Sequence, residues 1–274
     1  MKIIRVFPRR TSMTPADDMV FIGNPPLMRL DADEVHVSVT FTWDIEEGQR
    51  LKDAWSNYYP VVRIGGPAFG DRGEFVAGRY LKPGITFTTR GCDNRCLWCL
   101  VPEREGRLVE IENFAPGYII QDNNLLQASR EHMLKVFSML KAQRKAAVFS
   151  GGLQASLVDD WVVEQFKGLR IETLFLAADT EGALKPLAQA LYKLRFLGRR
   201  KLRVYTMIGR GSIEADTERL KMVWELGGMP FAQLYQPASK HIDYPYPWKQ
   251  LARLWSRPAA MFANAALAGR GEQA

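Results

Sequence analysis

The sequence predicts an α/β fold, a partial (β/α)6 TIM-like barrel behind a small N-terminal βαβ piece. Two observations lead there. From Gly84 onward, six short apolar runs alternate with helical patterns. Before Tyr80, a strand, a helix and a strand follow one another within about 30 residues, the length of one βαβ unit. Parallel strands need crossover connections, and these are nearly always right-handed. A chain of 274 residues holds one large domain, or one domain with a smaller companion. The expected boundaries are 1–80 for the N-terminal piece with its linker, 81–257 for the barrel and 258–274 for a tail.

Each element has its own signal. Ile3–Phe7 is an apolar strand. In Glu34–Phe41, Val35, Val37, Val39 and Phe41 alternate with His36, Ser38 and Thr40, the pattern of a half-buried strand. A helix over Glu46–Asn57 leads to a strand at Val61–Ile64, stopped by Gly65-Gly66-Pro67. Pro67–Lys82, rich in glycine and charge, reads as a linker. The barrel strands are expected at Ile85–Thr89, Tyr118–Gln121, Ala146–Phe149, Thr173–Ala177, Lys201–Ile208 and Phe231–Tyr235. Between them, Ser129 caps a helix with Met133, Val136, Phe137 and Leu140 on one face. Further helices are expected at Asp159–Phe166, Leu184–Leu194, Glu214–Leu226 and Tyr246–Ser256.

Composition narrows the class. Hydrophobic residues make up 47% and charged residues 24%, as in ordinary globular chains. The Ala-rich stretch Pro258–Ala268 falls short of the roughly 18 apolar residues of a membrane span. Arg5 interrupts the first apolar run, so no secretory signal is read and the cytoplasm is the expected compartment. The net charge of +7 admits a nucleic-acid or nucleotide partner, or simply a solvated surface. The densest basic run, Lys193, Arg195, Arg199, Arg200, Lys201 and Arg203, precedes a strand. It should therefore lie on the face away from the strand ends where such barrels do their chemistry.

The chain has three cysteines, and all lie in Arg90-Gly91-Cys92-Asp93-Asn94-Arg95-Cys96-Leu97-Trp98-Cys99. Clustered thiols of odd number read as metal ligands rather than as a disulfide framework. The spacing C-x3-C-x2-C lets one tight loop place thiolates at three corners of a [4Fe–4S] cube. A cluster held wholly by protein uses four cysteines. With three, one iron stays open to another ligand, as in a catalytic rather than a structural metal site. Zinc would need a fourth ligand, and His36, His132 and His241 are all distant in sequence.

This motif resembles that of the radical SAM enzymes, including an aromatic residue, Trp98, before the third cysteine. The resemblance covers about 84–237 and extends to Thr88-Thr89-Arg90-Gly91-Cys92 and Val101-Pro102-Glu103-Arg104-Glu105-Gly106. These stretches look like the subgroup of methylthiotransferases and cobalamin-domain enzymes, and the N-terminal piece looks like a shortened Rossmann-like domain. The resemblance implies that Cys92, Cys96 and Cys99 are both metal-binding and catalytic, and that S-adenosyl-L-methionine chelates the open iron. One electron, from a donor such as flavodoxin or ferredoxin, would then cleave it to a 5′-deoxyadenosyl radical. The chain lacks an Asp-x-His-x-x-Gly cobalamin signature, and its cysteine count leaves none for a second cluster or a methyl carrier.

The resemblance also implies cofactor contacts at other strand ends. Where the family carries Gly-Gly-Glu, this chain has Asp122-Asn123-Asn124. Asp122, with Asn123, would accept from the ammonium group of the cofactor, or else closes the strand as an Asx-type turn. Gly151 would let backbone approach the cofactor, or make a turn. Asp179 would meet ribose hydroxyls, or stand at a helix N-terminus. Gly209 resembles a residue lining the adenine, and Arg210 would meet a carboxylate or a substrate anion. Tyr235, Gln236, Lys240 and His241 lie where substrate contacts would fall. Within this class the substrate is open, RNA bases and nucleotides included. A metal-stabilised module without catalysis is the alternative outside it.

Overall fold

The computed structural model describes residues 1–76, 78–237 and 240–271. In chain order the elements begin with β1 (Ile3–Phe7), β2 (Val20–Ile22), β3 (Glu34–Ser38), α1 (Ile45–Ser56) and β4 (Val62–Gly65). Next come β5 (Ile85–Thr86), β6 (Thr89–Arg90), α2 (Val101–Glu105), β7 (Val109–Glu110), β8 (Ile119–Ile120), α3 (Arg130–Ala142), β9 (Ala147–Leu153) and α4 (Asp160–Lys167). The chain continues through β10 (Ile171–Ala177), α5 (Leu184–Leu194), β11 (Leu202–Ile208), α6 (Ile213–Glu225), β12 (Met229–Leu234), α7 (Tyr246–Leu254) and α8 (Pro258–Gly271).

Two compact units form. One holds Met1–Ile85, Gly91–Arg107 and Pro237–His241; the other holds Thr86–Arg90, Leu108–Gln236 and Ile242–Ala274. The division thus differs from a single boundary after Tyr80, because the cysteine loop groups with the N-terminal residues. The expected tail forms α8 as far as Gly271, and 272–274 lie outside the described residues.

The first unit is built on a parallel sheet of order β2-β1-β3-β4. Ile4, Val6, Val35, Val37 and Val39 pack with Leu51 and Trp55 of α1. The helix runs close to the sheet: a Cβ on Gly48 would lie 2.4 Å from a methyl of Val39. The other face of β3 is covered too. His36 and Ser38 are buried although alternation placed them on the polar side. The stretch expected as a linker covers them, with the Phe75 ring stacked on His36 at 4.9 Å and the Tyr80 hydroxyl bonded to its Nδ1. His36 Nε2 meets Glu34 at 2.7 Å, and Arg63 reaches the same carboxylate at 3.1 Å. Burial holds His36 below its ordinary pKa despite the neighbouring carboxylate, and burial raises Tyr80.

The second unit carries a six-stranded sheet of order β5-β8-β9-β10-β11-β12, with β8 to β12 all parallel. Every neighbour in this sheet is also the next strand in sequence, apart from the short β6–β7 hairpin. Right-handed crossovers in such an order put all helices on one face. The burial follows. Phe149, Leu174, Leu176, Leu202 and Val204 are buried beneath Val136, Phe137, Val162, Phe166, Leu187 and Leu191 of α3, α4 and α5. Side chains of the opposite parity, Phe175, Arg203, Tyr205 and Phe231, stay half-exposed. Caps start the helices as their sequences indicate: Ser129 accepts from His132 N–H, Asp159 from Val162 N–H and Ser212 from Ala215 N–H.

Leu174 is wholly buried in the centre of this sheet. Leu174→Ala is expected to lower unfolding stability by about 2–5 kcal/mol, read from the denaturant midpoint at unchanged slope.

Candidate functional site

The three cysteines lie on the segment between β6 and β7, two short strands paired antiparallel through Thr89–Glu110 and Arg90–Val109. The base of the loop is tightly made. Gly91 has φ +73°, and a Cβ there would sit 2.0 Å from the carbonyl oxygen of Arg107. Only glycine permits that approach. Cys92 N–H donates to Gly106 C=O at 3.2 Å, Gly91 N–H donates to Glu105 at 3.1 Å, and Arg107 meets Asp93 at 3.1 Å. Asp93 thus caps the loop. Pro102 at the start of α2 and Gly106 past its end, with φ +73°, bound a single helical turn after the last cysteine. Arg104 of that turn donates to the Pro67 carbonyl at 3.2 Å.

No disulfide joins the three thiols; Cys92 is half-buried, and Cys96 and Cys99 are exposed. Trp98 is half-buried beside them. Desolvation by its own loop pushes the Cys99 thiol up; a bond from Val101 N–H opposes this, and the Cys92 charge adds to it. Among the described residues, no group of three His, Cys, Asp or Glu side chains forms a ready-made site for a metal ion. The donor set suits an iron–sulfur cube, which offers a separate iron to each thiolate. Cys96 and Cys99 are reachable from solvent.

In the second unit Asp122, Asp179, Gly209, Arg210 and Gln236 follow the carboxyl ends of strands, whereas Gly151 lies within β9 and Lys240 and His241 belong to the first unit. Asp122 is 2% exposed. Its Oδ1 accepts from Thr88 N–H at 2.6 Å and Thr89 N–H at 3.0 Å, and its Oδ2 accepts from the Thr88 hydroxyl. These bonds engage both oxygens with Thr88 and Thr89. Burial raises the Asp122 pKa, and the Thr88 and Thr89 donors offset only part of that rise. Asn124 bridges to Gln154 at 3.0 Å, and Asn123 stands half-exposed between the two.

Ser150, Gly151 and Gly152 lie inside β9, at a register shift against β10 between the Phe149–Leu174 and Leu153–Leu176 pairs, rather than in a turn after the strand. A Cβ on Gly151 would lie 1.8 Å from the Asp122 carbonyl oxygen, so the position is a close backbone crossing. Asp179 accepts from Met207 N–H at 2.8 Å and so bonds the neighbouring strand end. Gly209, at φ +92°, donates to buried Asp216 at 2.8 Å, and the Tyr244 ring fills the space a side chain would need. Arg210 lies 5.4 Å from the Tyr235 ring, and Gln236 clamps the Ile242 backbone through both ends of its amide.

Sequence reasoning missed the half-open sheet face. Phe175 and Tyr205 stack at 4.4 Å, Phe231 meets both edge-on, and the Arg203 guanidinium lies 5.2 Å from the Phe231 ring. Tyr205 donates to Ser150 C=O at 2.7 Å, and burial pushes its pKa up to about 12. Period-two alternation along β10, β11 and β12 was the available signal. The basic run is largely consumed by local partners. Lys193 pairs with Asp160 at 2.8 Å, and Arg195, Arg199 and Arg200 lie over Tyr192, Trp224 and Phe262. No helix among the described residues is long and apolar enough to cross a membrane.

No protein-family model, curated protein or solved structure matches this chain.

Asp122→Asn keeps the shape of the Thr88–Thr89 joint and removes a charge. Because folding raises the Asp122 pKa, the stability tied to its proton is full below the ordinary carboxylate range and is lost as pH rises through the folded value. Denaturant midpoints should show the wild type losing stability against Asp122→Asn across that rise. Gly151→Ala should cost about 3 kcal/mol or more, since backbone has to move; the thermal midpoint measures it.

Proposed function

We propose that this chain is a radical SAM enzyme whose Cys92, Cys96 and Cys99 hold one [4Fe–4S] cluster. The observation that carries the reading is positional. A C-x3-C-x2-C loop follows the first strand of a parallel sheet whose strands lie in sequential order with their helices on one face. That strand order is what a partial (β/α)6 barrel requires, and such folds gather functional groups at the carboxyl ends of strands. When bound, the cluster supplies one electron for reductive cleavage of S-adenosylmethionine, giving a radical that abstracts hydrogen from substrate.

The chain's own part is positioning. Cys92, Cys96 and Cys99 would hold the cluster, and three ligands from the chain would leave it one position open to S-adenosylmethionine. Gly91 and the Cys92–Gly106 bond set where the loop starts and ends. Asp122 holds Thr88 and Thr89, the residues just before the motif, to the end of β8. Gly209 and Arg210, at the end of β11, remain the residues proposed for the adenine and for an anionic group. Asp179 and Gly151 serve the strand ends themselves. The half-open face of Phe175, Tyr205, Phe231 and Arg203 offers π surface and a cation at the same sheet, suited to a substrate with a flat or anionic part.

Anaerobic reconstitution with iron and sulfide should give a brown protein with visible absorbance. Dithionite with S-adenosylmethionine should then yield 5′-deoxyadenosine. Cys96→Ala should lose cluster content and product together, at least a hundredfold for product, or about 2.7 kcal/mol in barrier terms. A colourless protein with stoichiometric zinc, or a loaded cluster without cleavage product, overturns the reading.

A further inference from the structure

The N-terminal unit contains a second candidate site, distinct in its residues from the cysteine loop. A cavity of about 500 Å³ is lined by Arg9, Trp43, Asp44, Lys240 and His241. That size falls in the range of small-molecule sites, about 300–1,000 Å³. Asp44 is 4% exposed and is ion-paired with Arg9. A buried carboxylate needs such a partner. Arg9 meets the need with one edge of its guanidinium and stays 55% exposed, so donors remain for a ligand. The buried carboxylate in turn holds the guanidinium in place, which is preorganisation rather than a loose surface arginine.

Lys240 and His241 add two more donors on the wall, both exposed and without an ion pair among the described residues. Among the described residues lining the cavity, Asp44 is the one carboxylate and is paired with Arg9, which leaves Lys240 as the uncompensated charge. Trp43 supplies the flat wall. Its indole stacks on Phe41 at 4.7 Å and 6°, and His241 meets it edge-on at 5.5 Å.

We propose that this cavity binds a small phosphate ester carrying a planar ring, of nucleoside-monophosphate size. The phosphate would sit against Arg9, Lys240 and His241, and the ring against Trp43. A dianion with several acceptor oxygens matches three converging donors, of which the lysine acts as a point charge and the arginine as a fork. The proposal stands on this cavity alone and does not depend on the reading of the cysteines.

Calorimetric titration of the full chain with AMP, adenosine and inorganic phosphate tests it. AMP should bind saturably. Adenosine and inorganic phosphate should each bind at least about tenfold more weakly, and AMP affinity should fall with salt. Lys240→Glu and His241→Ala, both at exposed positions, should weaken AMP by at least about tenfold and about threefold, with unchanged circular dichroism. The Lys240→Glu arm also separates this cavity from any adenosine site elsewhere on the chain. Adenosine or inorganic phosphate binding as tightly as AMP overturns the proposal. So does an AMP affinity that neither variant alters, or an absence of saturation at millimolar AMP.

Discussion

The residue Asp122 joins three strands of the second unit at one point, and the strand ends depend on it. Its carboxylate takes the N–H groups of Thr88 and Thr89 and the hydroxyl of Thr88, while its carbonyl sits against the bare Cα of Gly151. A carboxylate this buried is costly unless its oxygens are filled, and here donors fill them. The joint ties the two residues that precede Arg90 to the end of β8.

Sequential strand order has a further consequence for the same unit. With all helices on one face, the sheet buries Leu174, Val204 and their neighbours there and leaves the other face half-open. The open face is not a generic polar surface. It carries Phe175, Tyr205 and Phe231 in mutual ring contact, with Arg203 over them. Tyr205 is tied through its hydroxyl to the Ser150 carbonyl.

The chain's cationic surplus is distributed unevenly in its chemistry. In the run 193–203, arginines lie flat on aromatic rings or pair locally, which uses their apolar planes and part of their charge. Arg9, Lys240 and His241 instead line a cavity with their donors. Charge density along the sequence is therefore a poor guide to where an anion would bind. What matters is whether a cation's donors are already occupied by its neighbours.

Much of the architecture was legible in the residues. Strand and helix positions from β8 to α7 follow apolar period and caps such as Ser129 and Asp159 to within a few residues. The cysteine spacing needed no structure to be read as a ligand set. Other features had no local signal. Ser150-Gly151-Gly152 has turn composition but lies in β9, at a register shift against β10 where the Asp122 carbonyl leaves room only for glycine. His36 stood on the polar side of an alternating strand, yet it is buried because Phe75 and Tyr80 return from a glycine-rich stretch to cover β3. The sequence by itself determined the spacing of the three cysteines and the order in which the strands arise. Only the tertiary structure decided which of their polar groups are already satisfied, because hydrogen bonds such as Thr88–Asp122 or Met207–Asp179 join residues far apart in the chain.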